Sequence, residues 1–445
     1  MHLREKLLGT FLHKTFTRLM HFDLGDLAYL PDSTSARPDV LYLHIPFCES
    51  LCPFCSFHRV LLNNHDTARA YFQTLRQEIM LIAEKGHQPS IVYVGGGTPT
   101  VMPDELEKTL VLVQSLFPVQ QISVETNPNH LNKEVFTHLK AVGVNRLSTG
   151  MQSFDDDLLK RMGRYDAYGS GKENVERLLF AQGQFDTVNA DMIINLPRQT
   201  EDSLHEDLSI LLDEVGVDQI SYYPLMTSIH TVREMKRSMG IPESANEEAY
   251  YNLIRSRLDD EYGLSSVWCF SRKQGMVDEY IISDSSYVGA GSGSFSYLNG
   301  AMYSNTFSLR RYEQFIREKG SAMTAVRSLS KNEQAHYDLV MTLFGGSLNK
   351  AEMELKYDGH FSSLLWKELD LLHTLGLIRD DGDTIKLTRR GQYDWVVLMR
   401  EFFIGVDNFR DEMRRHIGAE LDTLSNQTNV YSPGIKNSQA SIMYE

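Results

Sequence analysis

Residues 41–55 read LYLHIPFCESLCPFC, and the rest of the chain is interpreted outward from them. Leu41, Tyr42, Leu43 and Ile45 make a short apolar, β-prone run that reads as a strand. Cys48, Cys52 and Cys55 follow at once, three of the four cysteines in 445 residues. So few cysteines form no disulfide framework, and clustered ones indicate metal binding in a reducing compartment. Thiolate sulfur is the preferred ligand of iron–sulfur clusters, and three thiolates leave one iron of a 4Fe–4S cluster open. Zinc would need a fourth ligand, for which His44 and His58 are at hand, but Cys-x3-Cys-x2-Cys is an uncommon zinc spacing.

Downstream of this loop, strand candidates alternate with helical patterns up to about residue 226. The strands are SIVYVGGG (90–97), QISVETNP (121–128), RLSTGMQS (146–153), TVNADMIINLP (187–197) and QISYYPLM (219–226). Between them, HDTARAYFQTLRQEIMLIAEK (65–85) and PDELEKTLVLVQSLF (103–117) repeat apolar residues at three and four positions and read as crossover helices. Six strands in such alternation predict an α/β fold, a partial (β/α)6 barrel. Polar residues that sit awkwardly in strands, Thr98, Glu125, Asn127, Gln152, Ser153 and Asp191, fall at the C-terminal strand ends, where such folds build their sites.

The expected domain plan has five parts: an N-terminal amphipathic helix and linker (1–38), the barrel (39–240), an extension (241–324), a C-terminal helical and winged domain (325–424) and a disordered Asn/Ser/Gln-rich tail (425–445). In the extension, VGAGSGSFSYLNG (288–300) reads either as flexible backbone able to approach a ligand or as a plain linker. In the C-terminal part, LSKNEQAHYDLVMTLFGG (329–346) and FSSLLWKELDLLHTLGL (361–377) precede a hairpin around Asp381-Gly382, which suggests a winged helix. Near the start, Leu3, Leu7, Leu8, Phe11, Leu12, Phe16, Leu19 and Met20 share helical spacing, with Arg4, Lys6, Lys14 and Arg18 elsewhere on the wheel. Such a helix either packs across the barrel or lies on an anionic membrane surface.

A net charge of −15 argues against nonspecific nucleic-acid binding, so no nucleic-acid partner is expected. The first residues lack a secretory signal, and no run of about 18 apolar residues occurs. A cytoplasmic protein is expected, peripheral at the inner face of the membrane if the N-terminal helix lies on lipid instead of packing across the barrel.

With these residues in hand the chain resembles the radical S-adenosylmethionine (SAM) superfamily, for which Cys-x3-Cys-x2-Cys is the signature. The flanks are similar to the oxygen-independent coproporphyrinogen oxidase family over about residues 40–400. LYLHIPFC, GGGTPT, VETNP, GVNRLSTGMQSF, RMGR and DMIINLPRQT occur in that family's order. The resemblance implies that Cys48, Cys52 and Cys55 hold a 4Fe–4S cluster whose open iron takes the SAM amino and carboxylate groups. It further implies SAM contacts at Tyr42, Phe54, Gly96, Gly97, Thr98, Glu125, Gln152, Arg164 and Asp191, with Gly95 in the same turn. A second SAM is expected near Phe54, Gly97 and Thr98.

Three departures bear on function. The oxidases resemble Cys-x3-Cys-x2-Cys-x-Cys, but Phe57 stands where the fourth cysteine would be. The expected GLP after the Asp191 strand is Asn195-Leu196-Pro197. The fourth cysteine, Cys269, lies in SSVWCFSRKQG (265–275) between Trp268 and Phe270, where an inert buried thiol is the simple reading. The missing fourth cysteine points away from an authentic oxidase and toward two related branches, heme chaperones and class C radical SAM methyltransferases; retention of Glu125, Gln152, Arg164 and Asp191 suggests a working SAM site, which a chaperone needs less. His58-Arg59, WCFSR, DEYI (278–281) and YVGAGSGSFSYLNG resemble the enzymes that methylate the menaquinone ring using two SAM molecules. The alternatives are a porphyrin-directed oxidase and a heme chaperone. Either way a small hydrophobic substrate and a low-potential electron donor such as flavodoxin or ferredoxin are implied. No residue is assigned as proton acceptor.

Overall fold

The computed structural model describes residues 20–25, 30–34, 40–241, 246–272 and 286–428. The amphipathic segment through Leu19, the DEYI stretch and the tail beyond residue 428 therefore lie outside the described residues, as does any membrane role of that segment.

Parallel strands covered on both faces read as continuous apolar runs, and the six expected strands are found as such. They are β1 (Val40–Ile45), β2 (Ile91–Gly96), β3 (Gln121–Thr126), β4 (Arg146–Gln152), β5 (Thr187–Ile194) and β6 (Gln219–Pro224), paired parallel in chain order. Every residue of β1 is buried. Between β1 and β2 runs α1 (His65–Glu84), started by Asn64, whose side chain accepts from the Asp66 N–H. Its buried Ala68, Tyr71, Phe72, Leu75, Ile79 and Ile82 form one stripe at three- and four-residue spacing. Each large side chain so buried contributes about 1.5–3 kcal/mol. The partial barrel of alternating strands and helices stands as expected.

The sheet continues beyond the barrel on both sides. β7 (Gly263–Ser266) and β8 (Cys269–Ser271) add antiparallel strands next to β6. β9 (Tyr287–Ala290) pairs parallel with β1, and β10 (Phe295–Leu298), β11 (Ala301–Asn305) and β12 (Met323–Ser328) follow as a meander. The Gly/Ser run 288–300 is thus neither a linker nor loose backbone. A Cβ on Gly289 would meet the Phe295 carbonyl oxygen at 2.1 Å, and one on Gly291 the His44 oxygen at 2.5 Å. Small residues are present there because strands and the loop after β1 pack too closely for anything larger.

After the meander come α2 (Lys331–Phe344), opened by a Ser330/Glu333 capping box, and a three-stranded antiparallel sheet that includes a hairpin turning at Gly382. α3 (Arg389–Thr428) then returns across the barrel. It carries helix past residue 424, into the stretch expected to be tail. Among the described residues, no helix is long and apolar enough to cross a membrane.

Candidate radical SAM site

β1 delivers the cysteine loop into the mouth of the barrel, and backbone bonds fix its shape. Val60 N–H donates to the Pro46 oxygen at 2.6 Å, Leu62 N–H to the Cys48 oxygen at 2.8 Å, and Cys55 N–H to the Cys52 oxygen at 3.2 Å. Arg59 closes the loop from inside: its guanidinium donates to the Cys52 oxygen at 2.7 Å and the Cys55 oxygen at 2.6 Å. His44 Nε2 bonds the His58 oxygen at 2.8 Å. From the far end of the chain, Arg414 donates to the Ser56 and Phe57 oxygens at 3.1 and 2.9 Å.

Cys48, Cys52 and Cys55 are all unpaired thiols facing one cavity of about 300 Å³. Burial, reinforced by the Cys55 thiol, pushes Cys48 up to about 12, so its thiolate form calls for a bound cation. Thr98 Oγ1 lies 3.8 Å from the Cys48 sulfur and Arg164 Nη1 3.4 Å from the Cys52 sulfur. Among the described residues, no three such side chains converge closely enough to hold a single metal ion. A cluster that gives each thiolate its own iron does not require that convergence, so the donor set and its spacing fit an iron–sulfur cluster better than zinc.

The parallel register brings the other expected residues to the same cavity. Tyr42, Phe54, Gly96, Gly97, Glu125, Gln152, Arg164 and Asp191 all line it; Thr98 does not, standing behind Cys48 and accepting from Asn127 Nδ2 at 2.7 Å. Glu125 accepts the Gly96 N–H at 3.1 Å, and a Cβ on Gly95 would fall within 3 Å of its carboxylate. Burial first, then the neighbouring Asp191 charge, raises the Glu125 carboxyl to about 7. Asp191 is oriented by Ser148 Oγ at 2.8 Å and Asn189 Nδ2 at 2.7 Å. Arg164 is buried, donates to Asn127 Oδ1 at 3.1 Å and to the Gly150 oxygen, and lies over the Tyr168 ring. Salt bridging at a surface is thus not its role. Gln152 sits at φ 72°, strained for a non-glycine residue, at a bulge that turns β4 toward the cavity.

Asn195 also explains itself. It stands at φ 65°, in the left-handed region that glycine or asparagine tolerates best, so Asn replaces the expected Gly without changing the turn. Sequence reasoning gave no role in the site to Tyr93, Tyr223, Trp268, Tyr287, Tyr337, Phe402, Phe403 and Arg410, which make the outer cavity wall largely aromatic. Trp268 and Tyr287 fall in WCFSR and YVGAGSGSFSYLNG, which carried a resemblance but no site role; the others come from strands and helices far apart in the chain, with no motif to mark them. Cys269 is wholly buried in β8 and is not among the cavity residues.

The description "Radical SAM superfamily" matches residues 42–211. The heme chaperone HemW of Bacillus subtilis (strain 168) is 28% identical over 369 residues, covering 79% of this chain and 95% of that protein. The oxygen-independent coproporphyrinogen III oxidase of Escherichia coli (strain K12) is 26% identical over 434 residues, covering 88% and 91%. The solved coproporphyrinogen III oxidase (HemN) of Escherichia coli superposes with a TM-score of 0.71 at 24% identity, over 88% of this chain and 92% of that one, and so shares its fold. These relatives are named as a chaperone and an oxidase. The expected closeness to menaquinone methyltransferases gains no support from them.

Proposed function

We infer, for a chain that carries a radical SAM domain and is of the HemN and HemW type, that it binds an iron–sulfur cluster and SAM and takes a ring of the tetrapyrrole class named for its relatives, flat and conjugated in heme, puckered and reduced in a porphyrinogen. The observation that carries this is one cavity in which three thiols, four polar SAM-type residues and an aromatic wall face each other. Cys48, Cys52 and Cys55 would hold the cluster; bound together, cluster and SAM supply a 5′-deoxyadenosyl radical. Glu125 accepts from an ammonium or a ribose, while Gln152 and Asp191 add polar contacts. Gly96 and Gly97 keep the backbone bare of side chains beside them. Arg164 fixes the loop by its bonds to Asn127 and Gly150. The aromatic wall keeps water from the reacting centre.

A second reading, methyl transfer to a menaquinone ring with two SAM molecules, is favoured by a particular observation. Each of the three arginines lining the cavity is already engaged: Arg59 with loop carbonyls, Arg164 with Asn127, and Arg410 with Asp407 at 2.7 Å. Carboxylates of a porphyrinogen would have to displace these partners, whereas an uncharged quinone need not.

Anaerobic turnover with methyl-trideuterated SAM separates the readings. Oxidation of coproporphyrinogen gives unlabelled 5′-deoxyadenosine. Ring methylation by two SAM places one deuterium in 5′-deoxyadenosine and delivers a methyl group retaining two. A chaperone binds hemin in titration and releases little deoxyadenosine with either ring. That last result would overturn catalysis while leaving the cluster site standing.

A further inference from the structure

In the outer half of the cavity, among the described residues, one buried polar group is left without a partner. Trp268 sits in the turn between β7 and β8, is wholly buried, and lines the cavity. Among the described residues its indole Nε1–H has no hydrogen-bond partner. The ring is immobilised on three sides, by Tyr223 at 5.4 Å, Phe344 of α2 at 4.6 Å edge-on, and Phe403 of α3 at 5.7 Å between centroids. Its backbone oxygen accepts from Tyr222 N–H at 2.7 Å, which ties the turn to β6. A rigid indole whose only polar atom is buried and unpaired costs stability unless something satisfies it. An indole N–H only donates, so what satisfies it is an acceptor.

The surroundings say what carries the acceptor. Across the cavity from β6 stand Tyr287 of β9 and Tyr337 of α2, whose phenols bond each other, and Phe402 of α3 completes the wall. These are broad, flat faces, suited to stacking on a conjugated ring. We propose that Trp268 is a specificity residue of the ring-binding half of the cavity, donating its indole N–H to an oxygen on the rim of a flat conjugated substrate. This rests on the ring-substrate reading above and adds which atom of the protein selects the ring. The oxygen is a ring carbonyl in a quinone or a side-chain carboxylate in a porphyrin, and the two differ in strength.

The test measures anaerobic Kd values for two matched pairs on the cluster-loaded protein and on Trp268→Phe. Menadione is paired with 2-methylnaphthalene, which has no ring oxygens; coproporphyrin III is paired with octaethylporphyrin, which has no carboxylates. The Phe variant keeps an aromatic ring but no N–H, and iron content with the thermal midpoint serves as its fold control. Trp268→Phe is expected to weaken menadione about five-fold, or coproporphyrin III about thirty-fold, and to leave the oxygen-free partner of that pair unchanged. The unaltered protein is expected to prefer the oxygen-bearing member of that pair, and this preference is expected to shrink by the same factor in Trp268→Phe. Equal loss for both members of a pair would make Trp268 mere packing and overturn the inference alone. No binding of any of the four rings to the unaltered protein would overturn the ring-substrate reading, and the inference with it.

Discussion

Replacing Gly97 by alanine tests the cluster loop most sharply, because the structure fixes what the added methyl would meet. A Cβ there lies 2.6 Å from the Phe47 oxygen, 2.8 Å from the Pro46 carbonyl carbon and 2.9 Å from the Cys48 sulfur. All three are closer than real contacts allow, and two are backbone atoms that cannot rotate away. The loop cannot slide back freely either, since Gly97 N–H donates to the Ile45 oxygen and Thr98 N–H to the Phe47 oxygen, both at 2.7 Å. Restoring ordinary contact requires moving Phe47 and Cys48 by roughly 0.5–1 Å, and such overpacking costs about 1–3 kcal/mol. Spread over so large a chain, that lowers the melting midpoint by only a few degrees. A ligand displaced by that distance is nevertheless outside the tolerance of a built metal site. Gly97→Ala is therefore expected to retain less than about half of its iron after anaerobic reconstitution. Gly263→Ala is the control, because its nearest atom, the Ser271 oxygen at 3.8 Å, is an ordinary contact. Full iron content and undiminished SAM cleavage by Gly97→Ala would refute the claim that this glycine exists to seat Cys48.

Cys48→Ala, Cys52→Ala and Cys55→Ala should each lose iron and SAM cleavage, while Cys269→Ala keeps its iron and loses about 1 kcal/mol of stability from a small core void; iron loss confined to the Cys269 variant would overturn the ligand set. Glu125, raised to about 7 by burial and by Asp191 with Tyr93 and Arg146 also facing it, would on the proposed reading accept from the SAM amino group or ribose most strongly when ionised. Its ionised fraction falls from about 0.9 at pH 8 to about 0.1 at pH 6, so isothermal titration should show SAM Kd weakening about ten-fold as pH falls, with Glu125→Gln weak and pH-independent. Arg414→Ala removes two donors from the Ser56 and Phe57 carbonyls, so an iron chelator should strip the cluster several-fold faster, and an unchanged stripping rate would show that the long helix does not hold the loop.

Much of the inner site was legible because its signals are local. The six strands announce themselves as apolar runs, since a parallel sheet buries both faces, and the cysteines follow the first of them directly. Glu125, Gln152 and Asp191 stand out as polar residues at strand ends, and the parallel strands bring all three to one cavity. The Gly/Ser run 288–300 was misread because composition reports flexibility whereas the close approach of β9 to β1 demands small residues. Tyr337 and Phe403 carried no signal as site residues: what places them there is the return of α2 and α3 across the barrel, and no spacing in the sequence encodes that contact.

Phe57 shows how a departure from a family pattern acquires meaning only in three dimensions. As sequence, it is an absent fourth cysteine two residues beyond Cys55. In the structure its ring lies beneath the Arg410 guanidinium at 4.7 Å, its carbonyl oxygen accepts from Arg414, and the side chain is 44% exposed. A core-filling residue would be buried, so its place is at the loop's edge, where the long helix grips it through cation–π and hydrogen-bond contacts. Arg410 in turn pairs with Asp407, and both line the cavity. A thiol at position 57 would forfeit the ring contact while leaving Arg410 paired with Asp407, and so would loosen one of the contacts that fix the arginine beside the cavity. The position that lacks a cysteine is thus also one that steadies an arginine lining the cavity. For that reason Phe57→Cys should be judged by whether coproporphyrin III binds more tightly, and unchanged affinity would separate the missing cysteine from substrate choice.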